Sequence, residues 1–168
     1  MKVLTFSRQF PAYHPKKGQP TFFVEKIWKS LHVQDLLYNM IGYERAYNEK
    51  FPCSFIPQEN IHNHEPKNHT IRSGIRWKVG DYFSPRVWSG KPYQSKQIIF
   101  APDIEIKKIW KFECKHDGTF YLNDSWIDVT STDIPMNDGL TADELLDWFP
   151  ENKPFIGQVI CWNESINY

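Results

Sequence analysis

Lys67-Asn68-His69-Thr70-Ile71-Arg72-Ser73-Gly74-Ile75-Arg76-Trp77-Lys78-Val79-Gly80-Asp81 is the densest combination of ionisable groups, a hydroxyl and turn signals in the chain. His69 to Arg72 alternates polar and β-branched residues and predicts a short strand. Ser73-Gly74 ends it, and Gly80-Asp81 marks a second turn before the aromatic pair Tyr82-Phe83. The basic side chains therefore gather at strand ends and turns, where a rigid sheet presents chemistry to a ligand.

Working outward, Lys2 to Phe10 alternates as a first strand until Pro11, Pro15, Gly18 and Pro20 break it. Thr21 is placed to cap a helix in which Phe23, Val24, Ile27, Trp28 and Leu31 form one wide apolar face. Val33, Leu36, Leu37, Met40 and Ile41 repeat the helical period, and Gly42 offers a stop. From Tyr43 to Pro66 the periodicity fades into an irregular connection. Strands are expected over Tyr82–Trp88 and Gln97–Phe100, with one half-buried strand over Ile104–Glu113. A hairpin at Asp117-Gly118 returns through Thr119–Leu122, and shorter strands are expected over Trp126–Val129 and Phe155–Trp162. Before the last strand, Thr141 and Glu144 have capping-box spacing, and Leu140 and Leu145 occupy hydrophobic-staple positions. Asp138 is thereby expected beside a helix N-terminus, whose dipole favours its ionised form.

A chain of 168 residues with twenty basic and twenty acidic side chains fits one domain and carries no global field to hold long nucleic acid by charge alone. Three cysteines, Cys53, Cys114 and Cys161, form no C-x-x-C pair and are read as buried thiols of a reducing compartment. No apolar signal core or bilayer-length run occurs, so a cytoplasmic protein without membrane contact is expected. His62, His64 and His69 beside Glu65 and Cys53 match no zinc spacing, so the histidines are read as surface loop residues and neither metal nor cofactor is expected. Seven Trp, eight Tyr and twelve Phe suffice to fill a core, with some left for stacking on bases.

The order Leu4-Thr5-Phe6, Lys67-x-x-Thr70-Ile71-Arg72, Gly80-Asp81 and Asp138-Gly139-Leu140-Thr141 resembles ASCH domains of the PUA-like superfamily. Among these it is most similar to the small bacterial N(4)-acetylcytidine amidohydrolases. The resemblance implies an α+β fold: a PUA-like mixed β-barrel with flanking helices, in which residues 11–66 are a helical or irregular insertion into a single domain. It implies Lys67 as catalytic lysine, Thr70 as nucleophile and Asp138 as the acidic partner. The family's residue at that last position is Glu, so the carboxyl is withdrawn by one methylene, roughly an ångström. Arg72, Arg76, Trp77, Arg86 and Trp88 are then expected to contact substrate.

A lysine serves as base only if burial or neighbouring charge lowers its pKa, and Arg72 is placed to supply such charge. Residues three apart on a regular strand face opposite ways, so cooperation of Lys67 with Thr70 demands an irregularity around Asn68-His69. Without the resemblance, Lys67 is a strand-end lysine, Thr70 a strand threonine and Asp138 a turn residue. The competing expectation is a non-catalytic module of the PUA-like type, binding single-stranded RNA or a modified base by stacking on Trp77 or Trp88 beside Arg76, Arg86 and Lys91.

Overall fold

The computed structural model describes residues 2–33, 40–51, 64–149 and 153–168. The chain is mixed α+β with two sheets. In the first, β1 (Lys2–Thr5) lies parallel to β3 (Tyr82–Trp88), which pairs antiparallel with both β4 (Gln97–Ile99) and β5 (Ile104–Glu105). The second is antiparallel throughout, in the order β2 (His69–Ser73), β9 (Phe155–Cys161), β6 (Lys108–Cys114), β7 (Phe120–Leu122) and β8 (Ser125–Ile127).

Among the described residues four α-helices flank the sheets: α1 (Phe23–Val33), α2 (Met40–Lys50), α3 (Ile134–Asn137) and α4 (Ala142–Trp148). Side-chain alternation along β9 joins two cores. Ile160 and the following Trp162 pack with Val24, Ile27, Trp28 and Leu31 of α1 and with the first sheet. Val159 and Cys161 face Phe112, Ile134 and Leu145 on the other side. Such double-sided burial is why Phe155–Trp162 reads as a nearly continuous apolar run.

Two sequence expectations about element boundaries are corrected. The alternation over Ile104–Glu113 spans two strands, because the chain crosses between the sheets at Ile106–Lys107. There Ile106 N–H donates to Asp81 O at 2.9 Å and Lys107 N–H donates to Cys161 O at 2.8 Å. Gly42 does not end a helix, since α2 runs through it to Lys50. Tyr47 is buried edge-on against Trp28, and Arg45 bonds Glu49 one turn on; this packing outweighs a single glycine. The helix expected before Gly42 falls partly on residues 34–39, outside the described residues, as do Cys53 and His62.

Among the described residues the sheets do not close into a barrel. The outer edges of β1 and β2 are bridged not by a backbone ladder but by a side chain, the Arg72 guanidinium donating to the Thr5 carbonyl at 2.8 Å. Arg72 lines two hollows at this seam. No helix among the described residues is long and apolar enough to cross a membrane.

Candidate active site

Lys67 and Asn68 lie just before β2, outside regular strand geometry, which supplies the irregularity that cooperation of Lys67 with Thr70 demands. Lys67 N–H donates to Lys26 O of α1 at 3.0 Å, and Asn68 N–H donates to Asn137 O at 2.8 Å. Lys67, Thr70 and Asp138 thereby line one cavity of about 100 Å³ at the β1–β2 seam, together with Ser7, Phe23 and Arg72. Lys67 is 1% exposed. Its Nζ donates to the Asp138 carbonyl and, at 2.7 Å, to Asp138 Oδ1, and it sits 4.3 Å from the centre of the Phe23 ring.

A neutral lysine amine has two N–H donors and one lone pair. With both donors on Asp138, the lone pair takes the remaining tetrahedral position. Burial lowers the Lys67 pKa to about 8 against the opposing pull of Asp138, and Arg72 and Lys26 push it further down. At pH 7 roughly a tenth of the protein then carries Lys67 as the free amine. Burial works to raise the Asp138 pKa, but the charge and hydrogen bond of Lys67, with His69 close by, overcome it and hold the carboxyl below its ordinary range. Asp138 is thus an ionised acceptor that orients Lys67.

The Asp138 carboxyl reaches Lys67 because of where its backbone lies. Asp138 is the C-cap of α3, its N–H bonded to Ile134 O and Pro135 O, and Gly139 follows at φ +74°. It does not sit at the N-terminus of α4, where Thr141 forms the expected capping box with Glu144. The helix-dipole expectation is therefore corrected: Lys67 and His69 keep the carboxylate charged. His69, expected on a surface loop, is fully buried, with Nδ1 3.5 Å from Asp138 Oδ1 and the Tyr168 ring edge-on at 5.6 Å. Burial lowers its pKa, so it is neutral at neutral pH.

The five residues expected to contact substrate separate. Arg72 lines the cavity; burial lowers its pKa to about 10, which leaves it cationic at neutral pH, and its buried Nε–H has no partner among the described residues. Trp88 lines a larger adjoining groove of about 680 Å³ that shares Ser7 and Arg72 with the cavity. Trp77 is in neither, being 4% exposed in the core against Phe83, so it offers no face to a base. Arg76 is exposed beside it, its guanidinium 5.8 Å from the Trp77 ring centre, and Arg86 is engaged by Ser84 Oγ and Gln97 Oε1, both at 3.2 Å.

Sequence inspection missed Phe23, indistinguishable from any other apolar position of its helix, and Asn68, whose partners are remote in the chain. Cys114 and Cys161 are buried free thiols as expected. Among the described residues no three His, Cys, Asp or Glu side chains are grouped to hold a metal. Compared with known proteins, the chain matches no protein-family model, no curated protein and no solved structure.

Proposed function

We propose that the protein is an amidohydrolase of ASCH type, on a PUA-like fold, that removes the acyl group from an acylated nucleoside or nucleobase such as N(4)-acetylcytidine. The observation that carries this is the Lys67–Asp138 pair. It is a buried lysine with its pKa drawn to about 8, both amine N–H groups oriented by one residue, on the same small cavity as the Thr70 hydroxyl. A structural ion pair has no need of such a cavity, and perturbed groups in a cleft mark chemistry more often than scaffolding.

In the proposed reaction the neutral Lys67 amine takes the proton of Thr70 Oγ1 as that oxygen attacks the amide carbonyl. The Arg72 Nε–H stabilises the oxyanion that develops. Collapse expels the base's exocyclic amine, which receives its proton from the Lys67 ammonium, leaving an acyl ester on Thr70. Lys67, neutral again, then deprotonates the water that attacks the ester, and its ammonium returns the proton to Thr70 Oγ1 as the ester C–O bond breaks and the carboxylic acid leaves, which restores the starting enzyme. Asp138 stays ionised throughout and holds Lys67 in place. The lysine rather than the carboxyl carries the proton, which accommodates Asp in place of the family's Glu.

The test is chromatographic detection of cytidine released from N(4)-acetylcytidine by wild type, Lys67→Arg and Lys67→Met. General-base loss lowers turnover by about 10²- to 10⁴-fold, and the guanidinium of Lys67→Arg does not restore it because it stays protonated. Wild-type turnover matched by either variant overturns the assignment.

A further inference from the structure

Ser7 is the only exposed residue among those that line the catalytic cavity, and with Arg72 it also lines the groove of about 680 Å³. The mouth of the cavity therefore faces that groove. About 100 Å³ is the room of roughly three waters at ~30 Å³ each. That volume matches the three non-hydrogen atoms of an acetyl group and excludes a pyrimidine ring, so a substrate enters acyl end first and leaves its base at the mouth. Inside, beside Lys67, Thr70 and Asp138, the acyl group meets the apolar side chains of Phe23, Leu145, Trp148, Phe149 and Phe155.

Phe149 differs from the other four. A second groove, of about 720 Å³, is lined by Tyr13, Cys114, Phe120 and Leu146, and among the described residues Phe149 is the only one that lines both this groove and the cavity. The two grooves share no lining residue, which puts Phe149 and the mouth at different walls of the cavity. One ring thus parts the acyl group from a space several times larger than the cavity itself. The ring is held firmly. Phe149 is the C-cap of α4, its N–H donating to Leu146 O at 3.0 Å. Its ring centre lies 5.0 Å from Phe155 of β9, 5.6 Å from Phe112 of β6 and 5.8 Å from Phe120 of β7. A side chain packed against three strands does not swing aside for a longer chain without breaking those contacts.

We infer that the cavity is an acyl pocket with Phe149 as its end stop, so that the protein acts on acyl groups of about acetyl size and rejects longer chains. This rests on the amidohydrolase assignment. Phe149 is on this account a specificity-determining residue: it takes no part in proton transfer and sets how many carbons follow the carbonyl. Opening its wall joins the pocket to the second groove, whereas trimming Phe155, which does not line that groove, only widens the pocket.

Hydrolysis of N(4)-acetyl-, N(4)-propionyl- and N(4)-hexanoylcytidine is followed by chromatography with wild type, Phe149→Leu, Phe149→Ala and Phe155→Leu. Binding of the acetyl and hexanoyl compounds is measured by calorimetry with Lys67→Met, alone and combined with Phe149→Ala. In wild type, kcat/KM for the hexanoyl compound is expected at least about tenfold below that for the acetyl compound. Phe149→Ala should raise the hexanoyl-to-acetyl ratio at least about tenfold, in turnover and in affinity, because the added methylenes become buried. Phe149→Leu should fall between, and it keeps the test open should Phe149→Ala not fold. Phe155→Leu should favour propionyl over acetyl and leave the hexanoyl ratio low. These ratios, unlike the rates, do not move with a general loss of stability. Wild type hydrolysing the hexanoyl compound as fast as the acetyl one overturns the inference. So does an unchanged ratio in the Phe149 variants, or a gain for hexanoyl in Phe155→Leu equal to that in Phe149→Ala. Hydrolysis indifferent to chain length leaves the amidohydrolase standing and removes the end stop. Binding graded by chain length and by Phe149 with no hydrolysis does the reverse, and the absence of both overturns both.

Discussion

Asn68 and Asn137, the chain neighbours of Lys67 and Asp138, are joined twice: Asn68 N–H donates to Asn137 O at 2.8 Å, and Asn68 Nδ2 donates to Asn137 Oδ1 at 2.9 Å. Asn68 Oδ1 also accepts from Ser30 Oγ at 2.8 Å and from Asn163 Nδ2 at 3.0 Å. One buried amide therefore fixes the spacing of the segments that carry the lysine and the carboxylate. Asn68→Ala leaves several of these groups unsatisfied, at about 1–3 kcal/mol each, so a loss of at least about 2 kcal/mol in chemical denaturation is expected. Because the Lys67–Asp138 geometry loosens with it, kcat on the acylated substrate should fall while KM changes little. A stability loss with kcat unchanged would make Asn68 purely structural.

The pH dependence of the proposed activity follows from Lys67. The free amine is the active form, so kcat/KM rises about tenfold per pH unit below a pKa near 8 and levels off above it. Asp138 opposes the fall in this pKa, so Asp138→Asn should move the rising limb to lower pH while lowering the plateau. A limb that moves upward, or stays in place, would contradict the pairing. The same shift affects stability. The folded-state pKa lies below the ordinary 10.5, so the unfolded chain binds the proton more strongly, and stability rises as pH climbs from about 8 toward 10.5. Lys67→Met, measured by denaturation at both ends of that window, should lack this rise.

Local signals survived the passage from sequence to structure best. The Thr141–Glu144 capping box and the Asp117-Gly118 hairpin form as expected because each is decided within a few residues. The period-2 run over Ile104–Glu113 was legible as extended chain but not as two strands, since alternation says which residues share a face and nothing about which sheet supplies the neighbours. Trp77 and Trp88 illustrate the same limit at the site. Each stands near an arginine in sequence, yet one fills the core and the other lines the groove, and only the sheet pairing that places Phe83 beneath Trp77 separates them. Lys67 and Asp138 are 71 positions apart, so their contact was readable through the family resemblance and not from any local pattern.

Gly157 tests the β2–β9 edge that carries Thr70. It pairs with Ser73 on one side and Phe112 on the other, and a Cβ added there would lie 2.1 Å from the Arg72 carbonyl oxygen. Backbone cannot give way as a side-chain end can, so Gly157→Ala must part β2 from β9 or bend both. Loss of soluble folded protein, or a fall of more than about 3 kcal/mol in stability, is expected. A variant with wild-type stability would show that the strands do not approach this closely.

Gly139 connects backbone conformation to the chemistry most directly. It lies at φ +74° beside Asp138, and a Cβ there would meet Lys26 Cδ at 3.1 Å and Lys67 Cβ at 3.3 Å. Gly118, at φ +78°, has nothing within 4 Å of the same added atom. Alanine at either position forces the left-handed region at a cost of about 1–2 kcal/mol, so the two variants should lose similar stability from backbone strain. Only Gly139→Ala also presses on the aliphatic stem of Lys67, whose amine must stay within a fraction of an ångström of its working position. Melting curves for the two variants should therefore nearly coincide, with Gly139→Ala slightly the less stable. Turnover should drop at least tenfold in Gly139→Ala and stay near wild type in Gly118→Ala. Equal turnover in the two variants would mean that the position of Lys67 does not govern the rate.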